Sequence, residues 1–222
     1  MKITTVSLVM LAALAWSTNL GRAQGVTLNF ASNPGGFIEF GGSSDSFQFV
    51  SAPNGYQWSI TSEEGGSSSI GLLGLINNGP FTYGPITSSF GGMVQSADVL
   101  GPLGQLVISS PSGNLTATIN WEDVTTYLNA VGVFNASLDI NVTGITYTGT
   151  NPDLQLLTAK QPGVLDLSFQ FNPGESLTQL SSGAGGYDTS FSGSVAVVPE
   201  PATVTLSILG GLGLLGLLRR RM

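Results

Sequence analysis

Most of the chain alternates apolar and polar residues with a period of two. In Asn114–Asp123, Leu115, Ala117, Ile119 and Trp121 share one parity, and Thr116, Thr118, Asn120 and Glu122 share the other. Ala136, Leu138, Ile140 and Val142 alternate with Ser137, Asp139, Asn141 and Thr143. Leu165, Leu167, Phe169 and Phe171 alternate with Asp166, Ser168 and Gln170, and Phe191, Gly193, Val195 and Val197 line one face. Short stretches between Val26 and Thr61 read the same way. Successive side chains of a strand point to opposite sheet faces, so this is the pattern of half-buried strands. Asn33-Pro34-Gly35-Gly36, Pro53-Asn54-Gly55, Pro111-Ser112-Gly113, Asn151-Pro152-Asp153 and Asn172-Pro173-Gly174 separate the runs as turns. About ten to twelve short strands, each with one apolar face, predict an all-β domain, a β-sandwich of jelly-roll or immunoglobulin-like type. Only Asp123–Ala130 is read as a short helix. Ser43–Ser46, Ser62–Ser69 and Ser181–Gly186 read as Gly/Ser-rich loops.

Both ends depart from this pattern. Residues 1–23 begin with Lys2, and Val6–Trp16 has only Ser7 polar. That is the layout of a secretory signal peptide, too short to span a bilayer. Gly21-Arg22-Ala23 is a small-x-small site, which predicts cleavage by signal peptidase after Ala23. At the other end, Val204–Leu218 carries no charge, and the apolar segment 202–218 is read as a single transmembrane helix, at the short edge of the roughly 17–25 residues that span a membrane. Arg219, Arg220 and Arg221 follow at once, and basic residues beside a span stay cytoplasmic. The exported domain is therefore 24–197, and 198–222 is a separate C-terminal signal. Pro199 and Pro201 fix φ and block helix and sheet pairing, so Pro199-Glu200-Pro201 is expected to be extended and reachable by an enzyme.

Pro199-Glu200-Pro201, the Gly/Leu-rich apolar segment and the terminal arginines resemble the PEP-CTERM sorting signal of Gram-negative bacteria. The resemblance covers residues 198–222 alone. It implies recognition by a membrane-embedded exosortase, transient residence in the inner membrane through 202–218, removal of the tail, and delivery to the cell surface or the extracellular space. The tail also goes by the name of an ice-binding protein C-terminal motif. That name concerns the sorting segment and does not argue for ice binding.

Composition narrows the function of the exported part. The chain has 222 residues, with no cysteine and no histidine. Thiol nucleophiles, disulfide frameworks, Cys/His zinc sites and histidine acid–base catalysis are excluded. Between residues 24 and 198, twelve acids face the single base Lys160, a formal charge of −11, against −7 for the whole chain. Such a domain does not bind nucleic acid and does not dock on anionic lipid. The adjacent pairs Glu63-Glu64 and Glu122-Asp123 are the candidates for paired-carboxylate chemistry, but as neighbours in sequence they read as solvated charge. A loop calcium site would draw on Asp153 or Asp188 with carbonyl oxygens. Trp58, Trp121, Tyr56 and Tyr147 are candidate sugar-stacking rings, with core packing the simpler reading of each. Thr146, Thr148 and Thr150 lie on one face as a single copy, too few for an ice-binding array. Asn114, Asn135 and Asn141 begin glycosylation sequons that read as chance matches in an Asn/Thr-rich chain. No catalytic residue, metal or cofactor is expected. The reading is a non-catalytic surface or extracellular-matrix protein, with exopolysaccharide as its candidate partner. The alternative is a carbohydrate-binding or carbohydrate-active β domain, which requires Trp58 or Trp121 to stand exposed in a groove.

Overall fold

The computed structural model describes residues 25–41, 45–128, 134–182 and 186–197. The leader with its cleavage site at Ala23, Pro199-Glu200-Pro201, the segment 202–218 and Arg219–Arg221 lie outside the described residues. The described chain is mostly strand. In order come β1 (Thr27–Ser32), β2 (Phe37–Phe40), β3 (Ser46–Val50), β4 (Trp58–Glu64), β5 (Leu73–Asn77), β6 (Phe81–Tyr83) and β7 (Thr87–Ser89). There follow β8 (Val94–Gly101), β9 (Gly104–Ser110), β10 (Gly113–Leu128), β11 (Phe134–Thr146), β12 (Gly163–Phe169), β13 (Tyr187–Thr189) and β14 (Phe191–Val197). Helix α1 (Pro152–Ala159) lies between β11 and β12, and α2 (Leu177–Ser182) between β12 and β13.

The all-β expectation holds, but the strands close on themselves. The order β1-β4-β5-β9-β10-β11-β12-β14 returns to β1 through the β1–β14 pairing, and every neighbour in the ring is antiparallel. This is an eight-stranded barrel where two separate sheets were expected. One buried face per strand is common to sandwiches and barrels, so alternation alone does not separate them. Pairing does: β1 closes against β14 across nearly the whole domain. A second sheet, β8-β6-β3-β2-β13, grows from the far half of β10, where Asp123–Tyr127 pair with Val94–Asp98.

The pairing of β10 with β11 has two irregularities, one of them at the branch. On β10, Trp121 opposes Ile140 while Asp123 opposes Asp139, so Glu122 is an extra residue, a β-bulge. Bulges bend a strand and increase its twist. Here the bend falls between the half of β10 bonded to β9, which ends at Ile119, and the half bonded to β8, which begins at Asp123. On β11 a second register shift falls between the partners of Thr116 and Thr118, and Gly144 takes φ +60 there, a conformation open to glycine. The bulge at Glu122 also moves the buried parity from Ile119 to Val124 and Thr126. That parity change is why Asp123–Ala130 reads as a helix in sequence. Through Leu128 it is strand.

The barrel interior is filled by Leu28, Phe30, Trp58, Ile60, Ile76, Leu106, Ile108 and Leu115, all at most 2 % exposed, with their neighbours. Phe30 and Trp58 lie with ring centroids 4.4 Å apart. The second sheet is tied to the barrel strands by aromatic contacts. Phe40 meets Phe169, Phe49 meets Phe191, and Phe81 lies 4.4 Å from Trp121. Buried Gln57 bridges β3 and β5, donating to the Phe49 and Ile76 carbonyls and accepting from the Ile76 N–H.

The two helices replace expected loops. Asn151-Pro152-Asp153, read as a turn, is a helix start. The Asn151 side chain accepts from the Asp153 and Leu154 N–H groups, and Pro152 occupies the first turn, where its missing N–H costs nothing. Helix α2 overlaps the Ser181–Gly186 stretch. Its Leu177 N–H donates to the hydroxyl of Thr126, which is wholly buried. Leu154 and Leu157 of α1 and Leu177 and Leu180 of α2 are at 0 % exposure and anchor both helices.

Candidate functional site

Glu63 and Asp153, 90 positions apart, meet beneath the loop that joins β4 to β5. Glu63 sits near the end of β4, and Asp153 in the first turn of α1, only 4 % exposed. The Ser68 N–H donates to Asp153 Oδ2 at 2.8 Å, and the next amide, Ser69 N–H, donates to Glu63 Oε2 at 3.1 Å. The Ser68 hydroxyl also donates to Asp153. Asn151 Nδ2 donates to the Ser68 carbonyl at 2.9 Å, and Asn151 Oδ1 accepts from the Ser69 hydroxyl at 3.2 Å. A Cβ at Gly66 would fall 2.3 Å from Asp153 Oδ1, so only glycine lets the loop pass over that carboxyl. Burial, and then the Asp153 charge, push the Glu63 carboxyl above its ordinary range against the lowering effect of the Ser69 N–H. Glu64 is exposed and takes no part. The structure therefore breaks the Glu63-Glu64 candidate and makes a pair that sequence adjacency does not suggest.

Glu122-Asp123 is likewise split by the bulge. Glu122 accepts from Asn141 Nδ2, and Asp123 joins a row on the outer barrel face. Register places Asp98 opposite Asp123, Asp123 opposite Asp139, and Asp139 opposite Asp166, across four adjacent strands. Like charges directly opposite are unfavourable. Partial desolvation, and then the charges of Asp123, Asp166 and Glu122, raise the Asp139 carboxyl above its ordinary range. Asp123 is eased by hydroxyl donors, Ser96 at 2.8 Å and Thr125 at 3.1 Å. One step along the strands runs a row of hydroxyls, with Thr125 opposite Ser137, Ser137 opposite Ser168, and Ser168 opposite Ser192. Where these small residues cross β11, β12 and β14 they floor a shallow trough of 610 Å³, with Asp139 and Asp166 at one side. It continues into a 740 Å³ depression edged by Tyr127, which is 44 % exposed.

Three of the four aromatic candidates, Trp58, Trp121 and Tyr147, serve the core. Trp58 is at 0 % exposure, and Trp121 is partly buried against Phe47, Phe49 and Phe81. Tyr147 is 9 % exposed, and its hydroxyl meets those of Ser110 and Ser112 and accepts from the Asn151 N–H. Burial acts upward on its phenol, but these hydrogen bonds outweigh it and hold the pKa below the ordinary value. Tyr56 is half-buried, its hydroxyl donating to Ser109 at 3.4 Å. Only Thr146 of the three threonines lies on a strand, and its hydroxyl pairs with that of Thr116 at 2.8 Å. Asp188 is exposed on β13 of the second sheet, opposite Glu39, whereas Asp153 lies in α1. Among the described residues, no three acidic side chains are grouped so as to hold a metal ion, and no helix is long and apolar enough to cross a membrane.

The description of the last strand ends at Val197, where the sequence turns to Pro199-Glu200-Pro201. The family of the PEP-CTERM protein-sorting motif matches residues 197–221. The chain carries a PEP-CTERM sorting motif. This motif indicates export and sorting to the cell surface, and it implies processing by exosortase. Pro199, Glu200, Pro201, the segment 202–218 and Arg219–Arg221 all lie in or across the matched stretch. No curated protein and no solved structure matches the chain. The PEP-CTERM match thus concerns the sorting segment alone.

Proposed function

We propose that this PEP-CTERM protein is a non-catalytic surface or extracellular-matrix component of a Gram-negative bacterium. Signal peptidase cuts after Ala23, the segment 202–218 parks the chain in the inner membrane, and exosortase cuts near Pro199–Pro201. The supporting observation is the abutment of the sorting motif on β14. The match begins at Val197, the last residue of the strand that closes the barrel. A cut at Pro199–Pro201 falls beyond every residue that pairs with β1 or β12, so release leaves the barrel complete. Arg219–Arg221 hold the tail end inside, because placing arginine in hydrocarbon costs about 2.5–3.5 kcal/mol each on the insertion scale.

The test is the intact mass of the surface protein from cells with and without exosortase. Residues beyond the Pro199–Pro201 region are expected to be missing only where exosortase is present. Glu200→Ala is expected to accumulate unprocessed precursor. Retention of residues 204–222 in both strains refutes the transient anchor.

The burial of Trp58 and the partial burial of Trp121 in an aromatic cluster weigh against a stacking site in a deep groove, and so against the carbohydrate-active alternative. Association with exopolysaccharide is supported instead by the outer trough, where the hydroxyls of Ser137, Ser168 and Ser192 face solvent beside exposed Tyr127. Sugar hydroxyls find donors and acceptors there without a buried cost. Ser168→Trp would fill the floor at an exposed position. It is expected to lower co-purification with exopolysaccharide while changing stability by no more than about 0.5 kcal/mol. Undiminished co-purification moves the contact elsewhere.

A further inference from the structure

We propose that Glu63 and Asp153 share one proton, and that this proton fastens the loop of residues 65–72 to the start of α1. Consecutive backbone amides, Ser68 and Ser69, donate to Asp153 and to Glu63, so the two carboxyl groups are held side by side. Asp153 Oδ2 takes two donors, the Ser68 N–H and its hydroxyl. Glu63 takes one, and its other oxygen, Oε1, is buried without a donor. An ionised carboxylate only accepts. A buried acceptor without a donor beside a second anion is costly on both counts. Protonating one carboxyl turns an acceptor into a donor and removes both costs. Asp153 is the member that keeps the charge. It has the richer donor set and lies in the first turn of α1, where the helix dipole favours an anion. The proton therefore rests on Glu63 and points to Asp153.

The surrounding charges leave this assignment in place. The loop 65–72 and β1 contain no ionisable side chain. On β4, Glu64 is exposed and by strand alternation faces away. On α1 the other charged residue is Lys160, just past the C-terminal end, about 10 Å along the axis from Asp153 at 1.5 Å per residue. Tyr147 reaches the site only through the Asn151 N–H.

The sign follows from the raised Glu63 pKa, set first by burial and then by Asp153. The contribution of the fastener is complete below the ordinary glutamate range and is lost as pH rises through the raised value. This is the reverse of ordinary acid unfolding, in which carboxylates lose native partners on protonation. An amide at position 63 keeps a donor at every pH.

The experiment uses the full chain in detergent micelles with EDTA, melted across a pH series in parallel with Glu63→Gln and Asp153→Asn. The wild-type midpoint is expected to fall as pH rises above the ordinary glutamate range. The Glu63→Gln midpoint should fall less steeply with pH than wild type, so that the gap between the two widens as pH rises through the raised Glu63 range, while the loss owed to Asp139 is common to both. Asp153→Asn removes the second anion and should also make the fall with pH less steep than in wild type, so either variant alone tests the shared proton if the other folds poorly. Hydrogen exchange at the Ser68 and Ser69 amides should quicken with pH in wild type, relative to the barrel strands, and not in Glu63→Gln. Parallel pH profiles for wild type and both variants overturn the proposal. So does stabilisation of wild type, but not of Glu63→Gln, by calcium chloride at pH 7, which would put a cation where we place the proton.

Discussion

Trp58→Ala is expected to remove about 3–5 kcal/mol of stability, the range for truncating a large buried aromatic. A domain of this size has only about 5–15 kcal/mol in total. Trp58 is at 0 % exposure, and its ring lies 4.4 Å from that of Phe30. It opposes Ser32 of β1 and Gly74 of β5, so it stands where three barrel strands meet. The neighbour across the strand is a glycine for a reason. A Cβ at position 74 would fall 2.1 Å from Trp58 Cζ2. With no side chain at 74 to swing in, the cavity cannot collapse, which places the loss toward the upper end. Trp58 Nε1 is buried without an acceptor, so the indole contributes volume and not a hydrogen bond. Trp58→Phe should therefore cost clearly less than Trp58→Ala. Urea unfolding followed by far-ultraviolet circular dichroism gives both values. Equal losses for the two variants would mean that the indole is not acting by filling space.

Gly193→Val should be as damaging for the opposite reason. β14 is the closing strand, bonded to β12 on one side and to β1 on the other. A Cβ at Gly193 would lie 2.2 Å from the Asp166 carbonyl oxygen and 2.7 Å from Phe30 Cζ. The phenyl ring can turn, but the carbonyl belongs to a paired strand and cannot move without breaking the ladder. Overpacking commonly costs about 1–3 kcal/mol and more where backbone must shift, so a loss of roughly 3 kcal/mol or more is expected. Gly144→Ala is the informative comparison. Its Cβ would meet only Thr118 Oγ1 at 3.8 Å, so its penalty comes from φ +60 alone, about 1 kcal/mol. Thermal melts of the two variants separate crowding from conformation. A Gly193→Val protein that melts like wild type would show that β14 can be displaced without opening the barrel.

Sequence alone determined what depends on near neighbours. A strand that buries one face repeats every two residues, so Leu115–Ile119, Ala136–Val142, Leu165–Phe171 and Phe191–Val197 announce themselves without any partner. Trp58 and Trp121 are legible as core residues for the same reason, and the PEP-CTERM segment is legible because its proline, apolar and arginine parts lie in one short order. The start of α1 was also written locally, in the Asn151 cap and Pro152, but the same residues favour a turn, and only the buried Leu154 and Leu157 decide between them.

Tertiary structure decided everything that depends on which strand lies beside which. Alternation is identical in a sandwich and in a barrel. Closure comes from the pairing of β1 with β14, whose residues are joined by nothing local. The bulge at Glu122 cannot be told from the end of a strand until Asp139 is seen opposite Asp123. Register then aligns Asp98, Asp123, Asp139 and Asp166 into one row, although each alone is an ordinary outward-facing residue. Glu63 and Asp153 meet because β4 ends where α1 begins, and contact between residues so far apart in the chain is a property of the closed barrel and not of either segment.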